Sequence, residues 1–131
     1  MGTIEVRRLD IISGRQSFEK IIVDGKDLLE EFELSLEERY RTEMRTIYAW
    51  MQMVADLNPV PGTVYHPISD GKDGFREYEF KSKHLRIYVV AEPGGKIVVM
   101  GGKKNMQRQD IKRFREIKKQ LTKYLQRDEA D

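Results

Sequence analysis

Cysteine is absent from the 131 residues, which excludes a disulfide framework, zinc–thiolate sites and a cysteine nucleophile, and fits a reducing compartment. Histidine is scarce: His66 and His84 are the only two and do not stand in ligand spacing with each other, so neither a metal nor a cofactor is expected. No apolar run approaches the roughly 20 residues that cross a bilayer. The N-terminal MGTIEVRRLD lacks the hydrophobic stretch of a signal peptide, and Val6 occupies the position where a myristoylated Met-Gly start needs Ser or Thr. A cytoplasmic protein of one domain, spanning 1–131, is the expectation.

What is present is charge, unevenly placed. Residues 1–80 carry 10 Lys and Arg against 16 Asp and Glu, whereas residues 81–127 carry 14 against 3. The near-neutral total of +2 therefore hides a basic C-terminal third. Such asymmetry points to an anionic partner, although a solvated basic helix that only confers solubility would have the same composition.

The hydrophobic pattern reads as α+β: a small, mostly antiparallel, twisted sheet packed against helices. Residues 1–24 are rich in Ile and Val and suit an edge strand or hairpin, with Ser13-Gly14 as its connection. Residues 27–34 suit a short helix or turn. Ser35 followed by Glu38 has the form of a capping box, and Leu36, Tyr40, Met44, Ile47, Met51 and Val54 recur at helical spacing, so a main helix is expected over 35–57. Asn58-Pro59-Val60-Pro61-Gly62 must be a connection, residues 63–68 a short extended piece, and 69–74 a loop. Period-2 alternation then predicts a three-stranded meander over 75–101, with strands near 75–81, 84–92 and 96–100. A basic amphipathic helix is expected over 108–126, with Ile111, Phe114, Ile117, Leu121 and Tyr124 or Leu125 inward. Its other faces carry Lys112, Arg113, Arg115, Lys118, Lys119, Lys123 and Arg127.

Enzyme motifs are few. The run GGKKN at 101–105 has neither the spacing nor the hydroxyl of a phosphate-binding loop. The carboxylates of the N-terminal half read best as a solvated face. What remains is a set of cations and aromatics on or beside the sheet: Arg76, Lys81, Lys83, Arg86, Lys103 and Lys104, with Tyr78 and Tyr88. By alternation His84, Arg86 and Tyr88 share one face, and Leu85, Ile87 and Val89 the other. A polar face of that kind would clamp phosphates and stack bases. It would also suffice for cutting RNA, whose 2′-hydroxyl is a built-in nucleophile needing only alignment, proton transfer and charge stabilisation.

The order of these elements, and three short motifs within it, resemble the RelE/HigB-type toxins of bacterial toxin–antitoxin systems, in the RelE/ParE superfamily. The motifs are Tyr78-Glu79-Phe80-Lys81, Leu85-Arg86-Ile87-Tyr88 and Gly101-Gly102-Lys103-Lys104. The resemblance spans about residues 32–125 and implies a metal-independent endoribonuclease that cleaves messenger RNA, usually on the ribosome, and is neutralised by a cognate antitoxin protein. It implies Arg86, Lys81, Lys103, Lys104, Tyr88 and His84 as catalytic residues. Lys83, Arg76, Arg108 and Lys112 would then hold RNA. Two features depart from the family pattern: Gly102 stands where a phenylalanine is usual, and the N-terminal 24 residues exceed the usual single strand. The rival expectations are a catalytically inactive RNA- or ribosome-binding module of the same fold, and a gyrase-inhibiting toxin of ParE type.

Overall fold

A computed structural model describes residues 2–68 and 75–130. The fold is α+β, a seven-stranded sheet with helices on both faces. The strands are β1 (Ile4–Arg8), β2 (Ser17–Val23), β3 (Lys26–Asp27), β4 (Tyr65–Pro67), β5 (Glu77–Lys81), β6 (Leu85–Glu92) and β7 (Gly95–Lys103). The helices are α1 (Leu28–Ser35), α2 (Glu38–Ala55) and α3 (Gln107–Ala130). Along the sheet the order is β1-β2-β7-β6-β5-β4, with β3 paired to β2. All neighbours are antiparallel except β2 and β7, which run parallel.

The expected meander is β5-β6-β7, but its last strand does not stop near residue 100. Gly101 and Gly102 still pair with Ile87 and Arg86, carrying β7 to Lys103. Both glycines lie where helices press on the sheet. A Cβ on Gly101 would fall 2.4 Å from the Phe32 ring of α1, and one on Gly102 would fall 1.9 Å from a carboxylate oxygen of Asp110 in α3. The absent phenylalanine side chain at 102 is thus replaced by Asp110 arriving from the other element. The expected loop at 69–74 lies outside the described residues.

Two cores form, one on each face. Met44, Ile47, Met51 and Ala55 of α2 bury their helical stripe against Phe18, Phe80, Leu85, Ile87, Val89 and Val98. β1 and β2 form the expected N-terminal hairpin, and Leu9 and Ile12 in the loop that joins them, which includes Ser13-Gly14, enter this same core. On the opposite face Phe114, Ile117 and Leu121 of α3 meet Ile21, Tyr88, Val90, Ile97 and Val99. Central β6 is consequently buried at six consecutive positions, Leu85 to Val90, as expected of a strand covered on both sides.

The Ser35–Glu38 capping box does not form. Ser35 is the last residue of α1, its hydroxyl donates back to Phe32 O at 2.6 Å, and α2 begins at Glu38 with no side-chain cap. The chain breaks at Leu36, which turns into the core, and burying that leucine outweighs a cap worth about 1 kcal/mol. The cap that does form belongs to α1, where Asp27 accepts from the Glu30 amide at 3.0 Å. Among the described residues no helix is long and apolar enough to cross a membrane.

Candidate functional site

The end of the sheet where β5 stops, β6 starts and β7 stops brings together several residues expected to act on RNA. Lys81 closes β5, Lys83 and His84 lie in the turn to β6, Lys103 closes β7, and Lys104 opens a single 3-10 turn leading into α3. The first two turns of α2 supply Arg39, Tyr40 and Glu43 to the same place.

Glu43 organises the cluster. One of its oxygens accepts from the Ser82 hydroxyl at 2.5 Å and the His84 amide at 2.8 Å, and the other accepts from His84 Nδ1 at 2.6 Å. Partial burial pushes the Glu43 carboxyl up, but the bonds from Ser82 and His84 outweigh it and hold the group below its ordinary value. A carboxylate only accepts, so Nδ1 of His84 carries the proton. Among the described residues Nε2 has no hydrogen-bond partner, so it can take a proton when the ring is neutral, or give one when it is charged. The His84 main chain is fixed as well, because its carbonyl accepts from the Lys104 amide at 2.9 Å.

Around this pair the charge is positive. Tyr40 lies 5.1 Å from the His84 ring, centroid to centroid. The same phenol ring has Lys103 Nζ at 5.0 Å and the Arg39 guanidinium at 4.7 Å, both within the range of cation–π attraction. Lys81, Lys83 and Lys104 are exposed near by, and Lys103 is half-buried. The arrangement offers an oriented proton acceptor, an aromatic face and several cations opening to solvent.

Arg86 and Tyr88 are not part of that opening. Alternation placed them on an open polar face with His84, whereas α3 covers that face and His84, one residue before β6 begins, bonds to α2 instead. Arg86 is 7% exposed, and its Nη1 donates to Ser82 O and Leu85 O, each at 2.8 Å. Tyr88 is fully buried with its ring stacked on Phe114 at 5.5 Å. Burial, with Glu79 and Asp110 adding to it and Arg86 opposing, pushes the Tyr88 phenol far above its ordinary value. It cannot exchange a proton with bound RNA in this conformation. The physical reason is that α3 carries an apolar stripe of its own, and the face bearing Tyr88, Val90 and Val99 is where it lands.

Beneath α3 runs a buried seam of charge, where solvated side chains were expected. Glu77 pairs with Arg115 at 3.1 Å and with Lys118 at 3.2 Å, and Lys118, only 2% exposed, also donates to Phe75 O. Glu79 accepts from Gln107 at 2.9 Å, lies 3.2 Å from His66 Nε2, and faces Arg86 Nε at 3.9 Å. The signal for this seam was available: Glu77 and Glu79 share one face of β5, opposite a helix with cations three residues apart. Glu43 and Tyr40, by contrast, are the site residues that the sequence presented only as ordinary helix positions.

The remaining expected RNA contacts divide. Arg108 and Lys112 are exposed on the outer side of α3, flanking a shallow depression with Ile111 and Lys119, and continue the positive surface from Lys104. Arg76 stands at the opposite end of β5 from Lys81 and does not join the cluster. No group of three or more His, Cys, Asp or Glu side chains capable of holding a metal is found among the described residues. No protein-family model, curated protein or solved structure matches this chain.

Proposed function

We propose that this chain is an RNA-cleaving toxin of RelE/HigB type, inhibiting translation and held in check by a protein antitoxin, with its cutting centre at the His84–Glu43 pair. The observation that carries this reading is the locked imidazole: Nδ1 fixed on Glu43 at 2.6 Å, Nε2 free, and Lys103 and Tyr40 beside it. In the proposed reaction neutral His84 takes the proton of a ribose 2′-hydroxyl through Nε2. The 2′-oxygen then bonds to the adjacent phosphorus as the bond to the 5′-oxygen breaks, leaving a cyclic phosphate and a strand with a 5′-hydroxyl. Lys103, with Lys81, Lys83 and Lys104, stabilises the charge on the phosphate and on the departing oxygen, whose proton comes from a lysine or water. Glu43 holds the ring and stabilises its charged form. Arg108 and Lys112 hold the flanking strand.

One observation favours a second reading. Arg86 and Tyr88, two of the six side chains expected to act in catalysis, are buried, Arg86 donating to backbone carbonyls and Tyr88 stacked on Phe114 with its hydroxyl unpartnered among the described residues, which suits an RNA- or ribosome-binding module that does not cut. The two readings separate in one experiment with purified protein, ribosomes and a defined transcript, in the presence of a metal chelator. Cleavage should yield cyclic-phosphate ends and disappear with His84→Ala. Binding that weakens steeply with salt and leaves the transcript whole would establish the second reading instead. For the toxin assignment itself, induced expression should arrest growth, with cut transcripts accumulating. Arrest with intact transcripts would sink it.

A further inference from the structure

A second site lies at the other end of α2, built from residues that the proposed cleavage does not use. Here Leu57, Val60, Tyr65 and Tyr78 line an open depression of about 300 Å³ together with Gln16 and Lys96. Tyr65 stacks on Tyr78 at 5.0 Å with their planes 14° apart and on Phe80 at 4.3 Å, so its faces are taken and Tyr78 is the ring that borders the depression.

Two features of this place carry a cost in the free protein. Lys96 is half-buried, and its Nζ has a neutral partner, Gln16 Oε1 at 2.8 Å, with no carboxylate in ion-pair distance among the described residues. Burial lowers the Lys96 pKa, the response of a cation whose lost hydration has not been replaced by an opposite charge. Leu57 is 56% exposed and has φ of +63°, in the left-handed region that glycine adopts freely and leucine does not. It occupies the position after α2 where glycine commonly ends a helix, with the Asn58 amide bonding Met53 O at 2.8 Å and the Leu57 amide bonding Val54 O at 3.0 Å. A glycine would make the same turn without strain, so the leucine contributes its side chain to the lip of the depression at a cost in backbone energy.

We infer that this depression binds a small monocarboxylate carried on an apolar body, the carboxylate pairing with Lys96 and the body lying against Tyr78 beneath Leu57. A hollow of this size admits ligands of roughly ten non-hydrogen atoms, for which millimolar affinity or somewhat tighter is expected. The site is independent of the RNA-cleaving assignment and stands or falls without it.

The probe is sodium benzoate, titrated into the full chain and followed by NMR. Saturable shifts are expected at Tyr65, Tyr78 and Lys96. Benzamide, which keeps the shape and loses the charge, should bind at least about tenfold more weakly. Lys96→Met should reduce benzoate affinity by at least about tenfold with the thermal melt unchanged or raised, because a poorly solvated cation is replaced by an apolar chain. Leu57→Gly supplies a second variant that retains the fold: it should weaken benzoate binding and raise the melting temperature. Equal affinity for benzamide, shifts that map elsewhere, or no saturation by about 20 mM would overturn the inference.

Discussion

His84 with Glu43, and Arg86 with Glu79, are each a basic side chain facing a glutamate, yet the two pairs sit in opposite environments. The first lies at the open end of the sheet, with the His84 side chain 36% exposed and a ring nitrogen free. The second is sealed under α3, with side-chain exposures of 8% and 2%. Residue type alone therefore does not separate a reactive group from a structural one. What separates them here is an unused hydrogen-bonding position that solvent, and so a substrate, can reach. Arg86 Nε also lacks a hydrogen-bond partner among the described residues, but it is sealed from solvent, and removing either charge of a buried pair leaves the other with the cost of desolvation.

The largest effect that would test this contrast is His84→Ala. Cleavage should fall by a factor on the order of 10²–10⁴ while stability to urea changes by less than about 1 kcal/mol. Comparable losses in both measurements would place His84 with the structural set. Next comes Arg86→Ala, which takes the guanidinium from beside buried Glu79, leaving it Gln107 and His66, and frees two backbone carbonyls. It should destabilise the fold by about 3 kcal/mol, so any loss of activity would follow the loss of folded protein. An inactive but fully stable variant would restore the expectation that Arg86 touches substrate.

The seam yields a smaller and more discriminating effect. Glu77→Gln should cost about 2–3 kcal/mol because Lys118 and Arg115 both lose the Glu77 carboxylate, and Lys118→Met should cost somewhat less because Arg115 still meets Glu77. The double variant should be more stable than the sum of these losses, a coupling readable from a denaturation cycle. The smallest effect is on pH dependence. Glu43 has a pKa depressed by folding, so its contribution is present above its unfolded value and lost as pH falls through its folded value. Stability to urea should therefore decline on the acid side with a limb that Glu43→Gln abolishes, and the same variant should lose about tenfold of the cleavage rate. An unchanged acid limb in that variant would assign it to another group.

The elements were legible because their spacing is a property of local geometry. The meander of β5, β6 and β7 and the apolar stripes of α2 and α3 all follow from periods of 2 and 3.6. Alternation also separated Leu85, Ile87 and Val89 from Arg86 and Tyr88 correctly. It could not say that both faces of β6 would be covered, because that depends on where α3 packs after the strand has formed. His84 was picked out by type, but its partner lies 41 residues away in sequence and looked like any acid on a helix surface. Ser35 misled for a related reason: a capping signature records what a residue is able to do, and Leu36 decided the matter by burying itself.

The parallel pairing of β2 with β7 has a consequence for when this protein can act. Ser17–Lys20 must wait for Gly95–Val98, so the sheet closes through contacts of high sequence separation, the slow kind in folding. The same strand that completes the sheet also brings Lys103 to His84. A chain still emerging during its own synthesis thus lacks both its central scaffold and its cluster of cations until β7 has been made through Lys103. On the proposed reading, the ribosome producing this protein is spared by the order in which its strands appear.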